Sequence, residues 1–178
     1  TGLPAGVVQL VQGNKETVDA LIDHPLVSAV SFVGSTAVAK YIYGRATANG
    51  KRAQCQGGAK NPIIVLPDAD IEMTTQMAAD SFYGCAGQRC LAGSVAIVVG
   101  DKGNEFKDAI IDLARNRKVG YGWDEGIEMG PVISAESKTR IENFIDLGAK
   151  EGAKIVVDGR GAKVSRYENG NFILPTVI

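Results

Sequence analysis

Apolar residues recur along this chain in two periods, one helical and one extended, and the two alternate. Between Lys15 and Pro25, Val18, Leu21 and Ile22 fall on one helical stripe behind Asn14, and the proline ends the run. "LVSAVSFVG" follows as a short apolar stretch closed by glycine, which predicts a buried strand. Ser35 stands at an N-cap position ahead of "TAVAKYIYGRATA", a predicted helix with Val38 and Ile42 on one face. "KRAQCQGG" and "NPIIVLPDAD" predict two more short strands. From Ile71 a helix carrying Met77, Ala78 and Phe82 runs into the glycine-rich segment "GCAGQRCLAGS". "SVAIVVG" predicts another strand, and Phe106, Ala109, Ile110 and Leu113 keep the i, i+3, i+4, i+7 pattern of an amphipathic helix. Ile141, Phe144, Ile145 and Gly148 repeat it after Ser134, and "AKIVVDG" and "NFILPTVI" predict closing strands. "YGWDEGIEMGP" reads as an irregular loop with an exposed Trp123. Strands alternating with helices give an α/β protein whose sheet is mostly parallel with flanking helices.

Composition narrows the partners. Nineteen basic residues against twenty acidic ones leave no bias toward nucleic acid or an anionic membrane, so small molecules or proteins are expected. At 178 residues the chain can bury roughly 70% of its unfolded surface without a disulfide or metal staple. Its three cysteines cannot all pair internally, and no stretch approaches the roughly 20 apolar residues of a membrane span. A reducing, soluble compartment, cytoplasm or mitochondrial matrix, is expected. The first residues, "TGLPAGVVQLVQG", lack the features of a signal peptide.

Two places carry candidate chemistry. Gly34 and Ser35 sit where a strand turns into a helix, and unpaired amides there suit either an anion such as a dinucleotide pyrophosphate or ordinary capping. The second place is the loop holding Cys85 and Cys90. Zinc needs about four ligands, and three cysteines with one distant histidine, His24, give no metal set. His24 reads as a surface loop residue, Cys55 as part of a strand and Cys85 as a buried small hydrophobe at a helix end. Cys90 lies among glycines beside Arg89, whose charge would favour a thiolate. Local chemistry leaves it either a nucleophile or an ordinary loop thiol.

Taken together, "FVGSTAVAK", "QCQGGAKNPIIVLPDADIE", "GQRCLAGS" and "ENGNFILPTVI" occur in an order and spacing that resembles the aldehyde dehydrogenase superfamily, from Thr1 to Ile178. Its most specific element is the 34-residue step from Gln56 to Cys90 (90 − 56), which separates the family's general-base glutamate from its nucleophilic cysteine. The resemblance implies that Cys90 is the nucleophile. It puts Gly34 and Ser35 at the pyrophosphate of NAD and Val38 near the adenosine end, with Gln56 and Gly57 bordering the cofactor site. Two positions depart from the family pattern. Ala39 replaces a frequent glycine, and Gln56 replaces the glutamate, whose loss resembles the coenzyme-A-acylating branch because an amide cannot serve as the base. Within that branch the likeness is to enzymes of methylmalonate and malonate semialdehyde. What this implies is NAD-dependent oxidation of a small aldehyde with acyl transfer to coenzyme A. A hydrolytic aldehyde dehydrogenase, or a chain with only a binding or structural role, is the alternative. By the same resemblance residues 1–57 are the last part of the NAD-binding domain and 58–178 the larger part of the catalytic domain. The expected chain is the middle of a longer enzyme, homo-oligomeric when full length and inactive in isolation.

Overall fold

A computed structural model describes residues 2–178; Thr1, where the resemblance and the first expected domain begin, lies outside them. The chain divides into two compact units, the first ending at Ala59 and the second running Lys60–Ile178.

The first unit is built from α1 (Lys15–Asp23), β1 (Ala29–Val33), α2 (Thr36–Ala48) and β2 (Arg52–Gln56). The two strands pair in parallel, from Ala29 opposite Arg52 to Val33 opposite Gln56, with α2 as the crossover. Alternate strand residues, Val30 and Phe32 on β1 and Ala53 and Cys55 on β2, pack against Ile22, Ile42 and Ala46. The buried stripe of α2 is Ala39, Ile42 and Ala46. Val38, expected beside Ile42, falls at the margin of that stripe and is exposed. Arg45 ties the two helices together through Asp19 and Asp23. Lys51 donates to the carbonyls of His24 and Val27 and closes the loop between α1 and β1.

The second unit contains β3 (Asn61–Val65), α3 (Ile71–Tyr83), a 3-10 turn (Gly84–Gly87), β4 (Gly93–Val98), α4 (Gly103–Asn116) and α5 (Ala135–Lys150). β3 and β4 are parallel, with a register shift: Asn61 faces Gly93, but Pro62 faces Val95. Val65, Ala78, Ala79, Tyr83, Phe106 and Ile110 form the centre of the core. Asp70 caps α3 by accepting from the Met73 amide at 3.0 Å, and Ser134 caps α5 by accepting from the Ser137 amide at 3.1 Å. Each cap stabilises its helix by about 1 kcal/mol.

Every ladder of two strands is parallel, as the sequence suggested, and the described residues form two two-stranded sheets, one in each unit. The expected closing strands are absent. Residues 154–159 and 171–178 form one isolated antiparallel bridge, between Val157 and Val177, and the Leu174 amide donates to the Gly159 carbonyl at 3.0 Å. Pro175 has no N–H to continue the ladder, and the Gly159 amide turns instead to Thr176 Oγ1 at 3.1 Å. Trp123 is 89% exposed in the irregular loop where it was expected. Among the described residues no helix is long and apolar enough to cross a membrane.

Candidate active site

In the first unit the candidate residues lie at the carboxyl ends of β1 and β2, the position where open parallel sheets bind ligands. The Gly34 amide donates to the Gln56 carbonyl at 3.1 Å, so both residues sit at the same edge. Ser35, in extended conformation, caps α2 by accepting from the Val38 amide at 3.4 Å. The next amides, of Thr36 and Ala37, belong to the first turn and have no intrahelical acceptor. The Gly58 amide donates to Thr36 Oγ1 at 3.0 Å, bringing the chain after β2 over the start of α2. This close approach depends on glycine: a Cβ at Gly57 would lie 2.8 Å from Thr36 Oγ1, and one at Gly34 would lie 2.4 Å from Phe32 Cζ.

Gly34, Ser35, Gln56 and Gly57 therefore lie together at one edge, with Val38 exposed one turn along α2. The first turn of α2 carries no acidic residue. Free amides, the positive end of the helix dipole and two glycines fit the pyrophosphate of a dinucleotide. Ala39 buries its methyl on the inner side of α2, away from this edge, and its amide makes a regular bond to the Ser35 carbonyl at 2.8 Å.

In the second unit the candidate residues lie in the loop after α3. The helix ends at Tyr83, and Cys85 and Ala86 take left-handed conformations, at φ 52° and 53°. This reversal turns Cys85 out to solvent, so it is exposed and not the buried hydrophobe the sequence suggested. Arg89 is also placed otherwise than expected. Its Nη2 donates to the carbonyls of Asp80 and Ser81, at 2.8 and 3.2 Å, and closes the open end of α3. Gly84 makes room for it, since a Cβ there would lie 2.5 Å from Arg89 Nη2. The Arg89 guanidinium thus serves the helix end. The Asp80 carboxylate meanwhile accepts from Gln76 and from Arg117, which hold it below the usual carboxylate range.

Cys90 itself is a free, exposed thiol. Among the described residues no acceptor takes up its N–H. The loop around it is pinned on both sides: Gln88 Oε1 accepts from the Ile133 amide at 2.9 Å, and Ser81 Oγ accepts from the Gly93 amide at 2.9 Å. Asn61, which sequence reasoning did not single out, donates its side-chain amide to the carbonyls of Cys90 and Ala92 at 2.8 and 3.0 Å. The available signal was an asparagine directly before a proline at the start of a strand. Cys55 lies half-buried on β2, and exposed His24 accepts from the Leu26 amide at Nδ1. The structure thus gathers the five expected cofactor residues in the first unit and sets Cys90 in a separate, braced loop of the second.

Residues 1–178 match the aldehyde dehydrogenase family. A probable methylmalonate-semialdehyde/malonate-semialdehyde dehydrogenase, acylating and mitochondrial, from Anopheles gambiae is 49% identical over 99% of this chain and 34% of its own length. Among solved structures, a putative methylmalonate-semialdehyde dehydrogenase from Sinorhizobium meliloti 1021, complexed with NAD, superposes with a TM-score of 0.93 at 48% identity, over 98% of this chain and 36% of that one. The methylmalonate-semialdehyde dehydrogenase of Oceanimonas doudoroffii gives 0.92 at 46% identity, with the same coverage of 98% and 36%. The chain spans about a third of the length of the curated relatives it matches.

Proposed function

Because the chain belongs to the aldehyde dehydrogenase family, we propose that a full-length protein carrying it oxidises methylmalonate or malonate semialdehyde with NAD and transfers the acyl group to coenzyme A. Residues 1–57 then end an NAD-binding domain and 58–178 supply most of a catalytic domain, a reading supported by the change of unit after Ala59. Gly34, Ser35, Val38, Gln56 and Gly57 would hold the cofactor. NAD, when bound, supplies the two-electron oxidant.

Cys90 carries the substrate carbon: its Sγ adds to the aldehyde carbonyl, and the same sulfur holds the oxidised carbon as a thioester until an acceptor takes it. The free Cys90 N–H is suited to the oxygen that becomes negative on addition. The observation that carries the choice of acceptor is Gln56. Water, with a pKa of about 15.7, needs a neighbouring base to attack a thioester, and an amide is not one. A thiol of pKa about 8.5 already supplies a few per cent thiolate near neutrality. Names of the relatives, acylating and in animals mitochondrial, agree with this acceptor and with a reducing compartment.

The test is to trap the intermediate. With NAD and semialdehyde but no coenzyme A, the full-length protein should accumulate an acyl adduct on the peptide holding Cys90, and coenzyme A should discharge it. An adduct on Cys85 or Cys55, or none, would contradict the assignment.

A further inference from the structure

Four side chains, Ser81, Gln88, Arg89 and Asn61, brace the loop between α3 and β4, but among the described residues only one reaches the backbone of Cys90. Gln88 holds the segment at Ile133, and Arg89 holds it to the end of α3. Asn61 acts on the cysteine residue itself. Its Nδ2 bears two hydrogens, and the carbonyls of Cys90 and Ala92 both lie within reach, at 2.8 and 3.0 Å. The pair flanks Leu91, which the resulting turn pushes out to 85% exposure.

The aim of this side chain follows from the strand it begins. Were β3 in continuous register with β4, Pro62 would face Ser94, the residue after Gly93; it faces Val95 instead. An extra residue in one strand of a pair bends it and redirects the side chain beside it, and such irregularities recur next to active sites. Pro62 stabilises the break, since it has no N–H to restore the skipped ladder bond. The Asn61 carbonyl accepts from Ser94 Oγ at 3.4 Å, which secures the irregular step from the opposite strand.

We propose that Asn61 is a positioning residue for the reaction read above: the register shift at Asn61 and Pro62 directs its amide onto the carbonyls of Cys90 and Ala92, fixing the peptide that follows the nucleophile. The inference rests on Cys90 being that nucleophile. With the Cys90 carbonyl held, rotation about the bond from its Cα to that carbonyl is restricted, and the course of the turn from Cys90 to Ala92, which carries the thiol, is set before substrate arrives. Preorganisation of this kind acts on the chemical step more than on substrate capture, and a misplacement of about 1 Å can cost about a hundredfold in rate.

Asn61→Asp separates donor from shape. The carboxylate has the outline of the amide but no hydrogen to give, and it repels both carbonyl oxygens. In a full-length protein carrying these residues, we expect Asn61→Asp and Asn61→Ala to lower kcat by about a hundredfold, with the KM for NAD and for semialdehyde changing less than threefold. Amide hydrogen exchange on the same samples should quicken in the peptide spanning residues 85–93 and stay unchanged in α2 and α5. Full kcat in Asn61→Asp would overturn the proposal, because a packing role is preserved by the isosteric change while a donor role is not. So would unchanged exchange in the loop. If the unmutated protein neither reduces NAD with semialdehyde nor forms a Cys90 adduct, the proposed function fails, and the exchange measurement alone then decides whether Asn61 holds the Cys90 carbonyl.

Discussion

At the scale of single residues the loop after α3 presents two exposed thiols, and only their surroundings distinguish them. Cys85 is carried outward on a left-handed turn, whereas Cys90 sits where Asn61, Gln88 and Ser81 converge on the backbone. Limiting iodoacetamide should therefore modify both before half-buried Cys55, as peptide mass mapping would show. Exchanging Cys85 for serine should leave dehydrogenase activity of a full-length protein intact, while Cys90→Ser should abolish it. Loss of activity in Cys85→Ser would reverse the assignment. Beneath the loop, burial pushes the Tyr83 hydroxyl up to about 12. A raised value means that the folded state retains the proton longer than the unfolded chain, whose tyrosine titrates near 10. The stability tied to neutral Tyr83 is thus complete below about pH 10 and is lost as pH rises toward 12. Thermal unfolding followed between those limits should show a steeper alkaline loss in the native chain than in Tyr83→Phe.

Among the elements, helices with a cap and a sustained period were legible in the sequence, and the orientation of their faces was less so. Ser35, Asp70 and Ser134 each cap a helix in the structure, and Phe106 with Ile110 turns inward on α4. Val38, Met77 and Phe144 fit the same helical period but are exposed, because the stripe that goes inward is chosen by the neighbouring elements it packs on. On α2 the small residues Ala39 and Ala46 face inward with Ile42. The closing strands failed for a different reason. Apolar residues there satisfy the strand pattern, but Pro175 lacks the donor that pairing requires. Of the site, the Gly34 and Ser35 turn and the Cys90 loop could be located from chain order. Asn61 could not, since its role depends on a register shift with no marker in periodicity. The close approach of Gly57 to α2 gives an element-scale prediction. Gly57→Ala introduces a methyl 2.8 Å from Thr36 Oγ1 and must displace the start of α2. The KM for NAD of a full-length protein should rise at least tenfold with kcat little altered, measured by initial rates at saturating semialdehyde; an unchanged KM would place the cofactor elsewhere.

For the whole molecule the organising fact is two small units, each with a two-stranded parallel sheet, matching about a third of the length of its relatives. Sheets of two strands leave their outer edges without backbone partners, a condition that favours association. Size-exclusion chromatography of the 178-residue chain alone should show concentration-dependent self-association, and NADH formation from semialdehyde should be at background. A sharp monomer with turnover would contradict both expectations. In the function proposed for a full-length protein, Cys90 carries the acyl group, and Gln56, lacking a base, leaves it for coenzyme A rather than water. Product partition tests this directly, with free acid and acyl-coenzyme A quantified at saturating NAD with and without coenzyme A, for the native protein and for Gln56→Glu. The account predicts that acyl-coenzyme A dominates in the native protein, that turnover slows sharply without coenzyme A, and that Gln56→Glu raises the share of free acid. Rapid formation of free acid by the native protein in the absence of coenzyme A would contradict it.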